Sequence, residues 1–333
     1  MTAIAFSFEL FPPRTPAVAA RMPEVARQLG ALGPEFISVT FGAGGSSRAE
    51  SLGVLEMVRD LAGVRPLAHL TCVGATTAEL SALIGEFIDR GIRDFLALRG
   101  DKPVTAESDD WLGELRTGAE LAQLVRGVRR TRIPEELERV TPTDGRWRVR
   151  DARGGIIAVA AYPTGHPESR DEQQDLDTLL AKEAAGANLA ITQLFFEADD
   201  YLRFVERARA HGVTIPILPG IMPITSIARL HRMAQLSGEA VPQRWQRALE
   251  SCASDAARKE LGIAQATAMC HDLLDGGAPG LHLYTQNRVS EPVELLCRVG
   301  AVDRARAEAL LAKQEPVPES TSSAAFRMLM RSH

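Results

Sequence analysis

Apolar and polar positions follow two periods along this chain. Short, nearly continuous apolar runs rich in Val, Ile and Phe cover residues 4–8, 36–41, 66–71, 94–98, 156–161, 189–195, 215–218 and 281–284. Runs this short and this apolar predict parallel strands covered on both faces. Between them, apolar residues recur every three to four positions at 18–32, 48–61, 78–90, 112–130, 171–185, 199–211, 225–236 and 292–299. That is the period of amphipathic helices. Further helical patterns lie between residues 242 and 274, ahead of the last strand. Strand followed by helix eight times over predicts an α/β fold, a (β/α)8 TIM barrel, with an extra helical insertion before the last strand. A doubly wound open sheet is the alternative. Against it, no G-x-G-x-x-G follows the first strand. Gly42-Ala43-Gly44-Gly45 after the second has Ser47 where the pattern needs glycine, so it reads as a tight βα turn.

Two segments break the rhythm. Residues 131–154 are polar and charged and predict a surface excursion between the fourth helix and the fifth strand. Residues 313–333 carry a Pro-, Glu- and Ser-rich stretch and predict a flexible C-terminal tail. The expected organisation is one catalytic barrel over residues 1–312.

Composition narrows the function classes. The 333 residues carry 38 Lys and Arg against 43 Asp and Glu, a net charge of −5. That balance argues against a dedicated nucleic-acid binder. No apolar stretch approaches the roughly 18 residues of a membrane span, and the first residues lack the basic and apolar regions of a signal peptide. Cys72, Cys252, Cys270 and Cys297 form no C-x-x-C pair, so they read as reduced thiols in a cytoplasmic protein. No metal site is expected.

In a barrel of this type, chemistry gathers at the C-terminal ends of the strands. Those ends carry Glu9, Thr40, His69, Arg99-Gly100-Asp101, Tyr162 with His166, Gln193, and Thr285-Gln286-Asn287-Arg288. Each has a plain structural reading: Glu9 as a paired buried acid, His69 as a satisfied core histidine, Arg99 and Asp101 as an ion pair. A special group at nearly every strand end favours a shared site. Glu9 stands out, because a carboxyl among Phe8, Leu10 and Phe11 is costly to bury without a purpose.

These residues sit in motifs that resemble the methylenetetrahydrofolate reductase family, in its short bacterial form. The matching pieces are Ser7-Phe8-Glu9-Leu10-Phe11-Pro12-Pro13-Arg14, Ser38-Val39-Thr40-Phe41-Gly42-Ala43, His69-Leu70-Thr71-Cys72 and Leu98-Arg99-Gly100-Asp101. Ala160-Ala161-Tyr162-Pro163, His166-Pro167-Glu168, Gly186-Ala187-Asn188, Ile191-Thr192-Gln193, Pro219-Gly220-Ile221-Met222-Pro223-Ile224 and Tyr284-Thr285-Gln286-Asn287-Arg288 follow in family order. The resemblance implies reduction of 5,10-methylenetetrahydrofolate to 5-methyltetrahydrofolate by ping-pong hydride transfer from NADH or NADPH through FAD. It implies Glu9 as general acid and Asp101 as the carboxylate near flavin and pterin. It assigns Thr40, Phe41, His69, Arg99, Gly100, Asp101, Tyr162, His166, Asp175 and Lys182 to FAD, and Gln193, Arg229 and Arg288 to the substrates. Desolvation of Glu9 would raise its pKa and keep it protonated, as the acid role needs. Barrels of this kind often form homo-oligomers, although no interface signature stands out.

The chain also departs from the family. The family usually has a Tyr-Ala pair near the adenine or ribose; here the stretch is Leu115-Arg116-Thr117-Gly118-Ala119. After strand seven, where the family often offers Gln and a bulky apolar group, Arg229 and Met233 stand. Two further readings therefore stay open. One keeps the folate reduction with FAD loosely bound or absent, or with another electron donor. The other is a non-catalytic folate- or flavin-binding relative.

Overall fold

A computed structural model describes residues 4–40, 48–102, 111–133 and 155–312. Phe41, the 134–154 part of the expected excursion and the 313–333 tail lie outside these residues. The strands are β1 (Phe6–Leu10), β2 (Ile37–Val39), β3 (Pro66–Thr71), β4 (Asp94–Leu98), β5 (Ile157–Ala161), β6 (Leu189–Thr192), β7 (Ile217–Leu218), β8 (Gly220–Ile221) and β9 (Leu281–Tyr284). The helices are α1 (Pro16–Ala31), α2 (Arg48–Asp60), α3 (Thr77–Asp89), α4 (Gly118–Arg132), α5 (Glu172–Ala185), α6 (Ala198–Ala210), α7 (Ile227–Ser237), α8 (Gln243–Glu250), α9 (Asp255–Asp275), α10 (Ser290–Val299) and α11 (Arg304–Ala312).

Every strand pairing is parallel, in the order β7-β6-β5-β4-β3-β2-β1-β9-β8. The two ends of that order, β7 and β8, are separated in the chain by Pro219 alone. A proline has no N–H to give to a ladder. The seventh strand therefore splits, with its first half bonded to β6 and its second half to β9. This split strand closes the (β/α)8 barrel. Gly220 makes the closure sterically feasible, because a Cβ there would lie 2.5 Å from both the Thr192 carbonyl oxygen and the Tyr284 ring. Its N–H donates to Thr192 Oγ1 at 2.8 Å.

Period-two alternation sorts the strand residues into two layers. Phe6, Phe8, Leu10, Ala68, Leu70, Leu281 and Leu283 face outward into the core shared with the helices. Phe36, Leu67, Leu96, Ile156, Ala158, Leu189, Ile191 and Leu218 form a second, separate cluster that fills the barrel interior. The helices begin where side chains satisfy their orphan N–H groups: Thr76 with Glu79 for α3 and Thr117 with Glu120 for α4 are reciprocal capping boxes.

Three boundaries differ from the sequence reading. The first strand runs over Phe6–Leu10 rather than 4–8, so Glu9 lies inside it. The fourth helix begins at Gly118, not 112, because Leu112 pairs with Val73 and Gly113 N–H bonds the Cys72 carbonyl; residues 111–113 strap the end of β3. The insertion before the last strand is present, but it exchanges roles with the helix after strand seven. The long α9 packs between α6 and α10 in the helical ring. Helices α7 and α8 instead pack on each other and on Leu194, Phe196, Met222 and Ile224 as a satellite core beside the strand ends.

Candidate active site

The same alternation that aims Phe8 and Leu10 outward aims Ser7 and Glu9 into the barrel. His69 on β3 and His282 and Tyr284 on β9 face inward by the same count. Glu9 lies opposite Tyr284 in the β1–β9 register and opposite Ser38 across β2. Its carboxylate Oε2 stands 3.5 Å from His69 Nε2 and 3.9 Å from His282 Nε2. His282 Nδ1 is 2.7 Å from Ser7 Oγ. All of these side chains except the partly covered Tyr284 are buried.

Burial decides their charge. The Glu9 carboxyl is pushed up from 4.5 to about 7 by desolvation, with His69 pulling it partly back. His69 is pushed down to about 4 and His282 to about 3, again by desolvation. Near neutral pH the two imidazoles are uncharged, and Glu9 carries its proton about half the time. The Glu9–His69 approach is thus a contact between largely neutral groups, not a salt bridge. Two ring nitrogens facing Glu9, His69 Nε2 and His282 Nε2, lack a hydrogen-bond partner, as do Thr40 Oγ1 and Ser38 Oγ. Orphan polar atoms concentrated at one mouth are unusual in a protein interior and suit a ligand that would satisfy them.

A second cluster covers the ends of β4 and β5. Arg99 Nη1 holds Glu168 at 2.5 Å, and its guanidinium lies 5.5 Å from the centroid of the Trp111 ring. Tyr162 packs edge-on against His166 with ring centroids 4.7 Å apart. Asp175 on α5 accepts the His166 N–H at 3.1 Å and the Ser169 hydroxyl at 2.6 Å. One helical turn pair further along, Lys182 donates to the Ala160 carbonyl at 2.9 Å and lies 5.9 Å from the Tyr162 ring centroid. Burial pushes Lys182 down to about 8, opposed by Asp175. Tyr162 is pushed up to about 12 by burial, with Asp101 the largest of the nearby charges. The field of Tyr162 reaches Tyr284, which also feels Glu9, so the two clusters adjoin.

Gly100 sits between them at φ +88, where a Cβ would run 2.6 Å from Val73 Cγ2. Gln193 follows β6 directly; its N–H bonds the Ala161 carbonyl and its own Oε1 accepts the Leu194 N–H at 2.9 Å. Arg229 is buried and committed to protein groups, donating to the Pro223 carbonyl and to Glu291 Oε2 at 3.0 Å each. Arg288 is 59% exposed and reaches Glu291 Oε1 at 3.5 Å. Thus Glu9, His69, Arg99, Gly100, Asp101, Tyr162, His166, Asp175 and Lys182 share one mouth with Thr40 and Gln193 at adjoining strand ends. Arg229 stands apart in its internal ion pair.

Sequence reading passed over His282, Trp111 and Glu291, and placed Asn287 at a strand end without giving it a role. His282 sits two residues from Tyr284 in an apolar strand, and that spacing marks both as inward-facing. Asn287 clamps the chain across the mouth: its Oδ1 accepts the Phe11 N–H at 2.8 Å and its Nδ2 donates to the Phe11 carbonyl at 2.9 Å. No local signal announces Trp111 or the pairing of Glu291 with Arg229, 62 residues earlier in the chain. Among the described residues no His, Cys, Asp and Glu grouping could hold a metal ion, and no helix is long and apolar enough to cross a membrane.

The chain is similar to the 5,10-methylenetetrahydrofolate reductase of Salmonella typhimurium, at 34% identity over 286 residues covering 86% of this chain and 87% of that protein. It is 33% identical over 323 residues to the methylenetetrahydrofolate reductase (NADH) 1 of Arabidopsis thaliana, covering 94% of this chain and 51% of that longer protein. Among solved structures it shares its fold with a Clostridium thermocellum protein that binds two copies of 5-methyl-5,6,7,8-tetrahydrofolic acid. That likeness has a TM-score of 0.56 and 14% identity, covering 94% of this chain and 96% of the other. The sequence model of the methylenetetrahydrofolate reductase family matches residues 1–300, which span both clusters and every strand; the chain belongs to that family.

Proposed function

We propose that this chain reduces 5,10-methylenetetrahydrofolate to 5-methyltetrahydrofolate in a ping-pong cycle, with NADH or NADPH as reductant, FAD as carrier and Glu9 as general acid. The observation that carries the reading is a buried carboxyl near pH 7 at the barrel mouth. An acid with that pKa keeps a usable proton at neutral pH and gives it up readily. Glu9 would donate its proton to a folate nitrogen, and the bridging ring would open to an iminium ion, the hydride acceptor. Asp101, exposed at the end of β4, would offset the positive charge of that ion. Gln193 would meet pterin or nicotinamide in turn, and Arg288 would pair with the folate's glutamate carboxylate.

The residues present fit FAD. Thr40 Oγ1 and His69 Nε2 are buried polar atoms without partners, and Gly100 allows close approach of a ligand to the backbone. Arg99 and Lys182 would face the pyrophosphate, Asp175 a ribose hydroxyl, and Tyr162 and His166 the remaining surface of the group. When bound, FAD supplies a hydride carrier that the nicotinamide nucleotide fills and the folate empties. A specific observation favours loose binding. Thr117, beside the position of the family's usual tyrosine, is spent on capping α4, and Glu168 already occupies Arg99. The catalytic unit is taken as residues 1–312, working in the cytoplasm with methylenetetrahydrofolate and a nicotinamide nucleotide as partners and free to form a homo-oligomer.

The test is turnover of methylenetetrahydrofolate by purified protein supplied with FAD and either nucleotide. Wild type should form 5-methyltetrahydrofolate, and Glu9→Gln should bind folate yet turn over ~10²-fold or more slowly. Folded wild-type protein that makes no product under these conditions would overturn the reading.

A further inference from the structure

Arg229, Glu291 and Arg288 form a chain of three charges running from the satellite core to the barrel mouth. Arg229, in the first turn of α7, is 7% exposed in its side chain, and Glu291, in the first turn of α10, is 9% exposed. They meet at 3.0 Å through Glu291 Oε2. The same Nη1 also donates to the Pro223 carbonyl at 3.0 Å, a second tie on Arg229. A buried carboxylate stripped of its cation is strongly unfavourable, so Arg229 cannot turn away to a substrate without exposing that penalty. Glu291 Oε1 remains, and it faces Arg288 at 3.5 Å.

Arg288 itself has a rigid base and a loose head. Gln286 and Asn287 both hold left-handed backbone, at φ 51 and 57. Asn287 is clamped on Phe11, and the Arg288 N–H bonds the Thr285 carbonyl at 3.0 Å. Its side chain, however, is 59% exposed, and an exposed arginine samples many rotamers. Among the described residues, the carboxylate that approaches it is the one immobilised by Arg229.

We infer that Glu291 is a positioning residue that holds Arg288 ready for the glutamate carboxylate of folate, and that Arg229 acts only by fixing Glu291. The inference rests on the folate reading above. The three side chains sum to one positive charge, so an incoming carboxylate is still attracted, while Glu291 limits the directions from which Arg288 can receive it. The position therefore sets preference for a folate with its glutamate over a pteroate without one. The first helical turn of α10 also suits a carboxylate, so the arrangement costs Glu291 little.

Calorimetric titration with 5-methyltetrahydrofolate and with 5-methyltetrahydropteroate, which lacks the glutamate, tests this. Wild type should prefer the folate. Glu291→Gln should weaken the folate about fivefold while leaving the pteroate unmoved, and should raise KM for methylenetetrahydrofolate more than it lowers kcat. Should Glu291→Gln fail to fold, the paired change Arg229→Met with Glu291→Leu replaces the ion pair by apolar contact and should erase the same preference. Equal loss for both ligands, or an unchanged folate preference, would overturn the positioning role alone. Wild type that binds neither ligand would sink both this role and the folate reading beneath it.

Discussion

Replacing Glu9 by Gln tests the electrostatics of the barrel mouth without reference to any ligand. Gln keeps the shape of the side chain and removes its titration. Burial lifts the Glu9 carboxyl from 4.5 to about 7, so between those values the unfolded chain has lost a proton that the folded one keeps. A group with a raised folded pKa contributes stability that is full below its unfolded value and is lost as pH climbs through the folded one. At about 1.4 kcal/mol per pH unit, the loss amounts to ~3 kcal/mol. His69 and His282 act with the opposite sign. Their folded values of about 4 and about 3 lie below the ordinary 6.5, so their contribution is present above 6.5 and disappears in acid. Subtracting wild type from Glu9→Gln largely cancels the histidines. The unfolding free energy of the variant, measured in urea at steps from pH 4.5 to 8, should therefore gain ~3 kcal/mol on wild type and level off above pH 7. In parallel, wild-type folate reduction should decline as pH passes about 7 and the acid loses its proton. A stability difference that stays flat over this range would refute the reasoning, since Glu9 would then ionise as an ordinary carboxylate.

Other substitutions probe separate parts of the fold. Asp94 is buried at the start of β4, where it accepts two hydrogen bonds from the half-exposed Arg65 and one from the buried Ile156 N–H; Asp94→Ala should cost ~1–3 kcal/mol in chemical denaturation, chiefly by stranding that N–H. Gly220→Ala would force a methyl within 2.5 Å of the Thr192 carbonyl and the Tyr284 ring, so thermal unfolding should show a loss of at least about 1–3 kcal/mol as the barrel seam opens. Phe95→Ala should cost ~3–5 kcal/mol in the same measurement, because the fully buried ring stacks on Phe87 in the outer core. Glu168→Gln should tighten FAD binding, followed by equilibrium dialysis, because it removes the carboxylate that competes for Arg99.

Much of the site could be read along the chain because barrel strands carry their function at one end. Glu9, His69, Arg99, Tyr162 and Gln193 were placed by that rule, and the structure gathers them at one mouth. Asp175 and Lys182, two turns apart on one helix, face the Tyr162 side as their spacing requires. Arg229 was different. Its position in the motif suggested a substrate contact, but its charge is satisfied by Glu291, 62 residues later in the chain. Trp111 was hidden for a similar reason, since an aromatic residue in a polar stretch gives no sign that an arginine will lie over it.

By itself the sequence determined the alternation of strand and helix, the inward or outward facing of each strand residue, and the chemical identities at the strand ends. Those properties are local, set by backbone periodicity and side-chain chemistry. Tertiary structure alone decided that Pro219 divides the closing strand, that α9 rather than α7 enters the helical ring, and that His69 and His282 both flank the buried Glu9. Each of these depends on groups distant in sequence meeting in space. A strand closes only against both neighbours, a helix joins the ring only where an apolar groove receives it, and histidines of β3 and β9 flank one carboxyl of β1 only once the barrel closes.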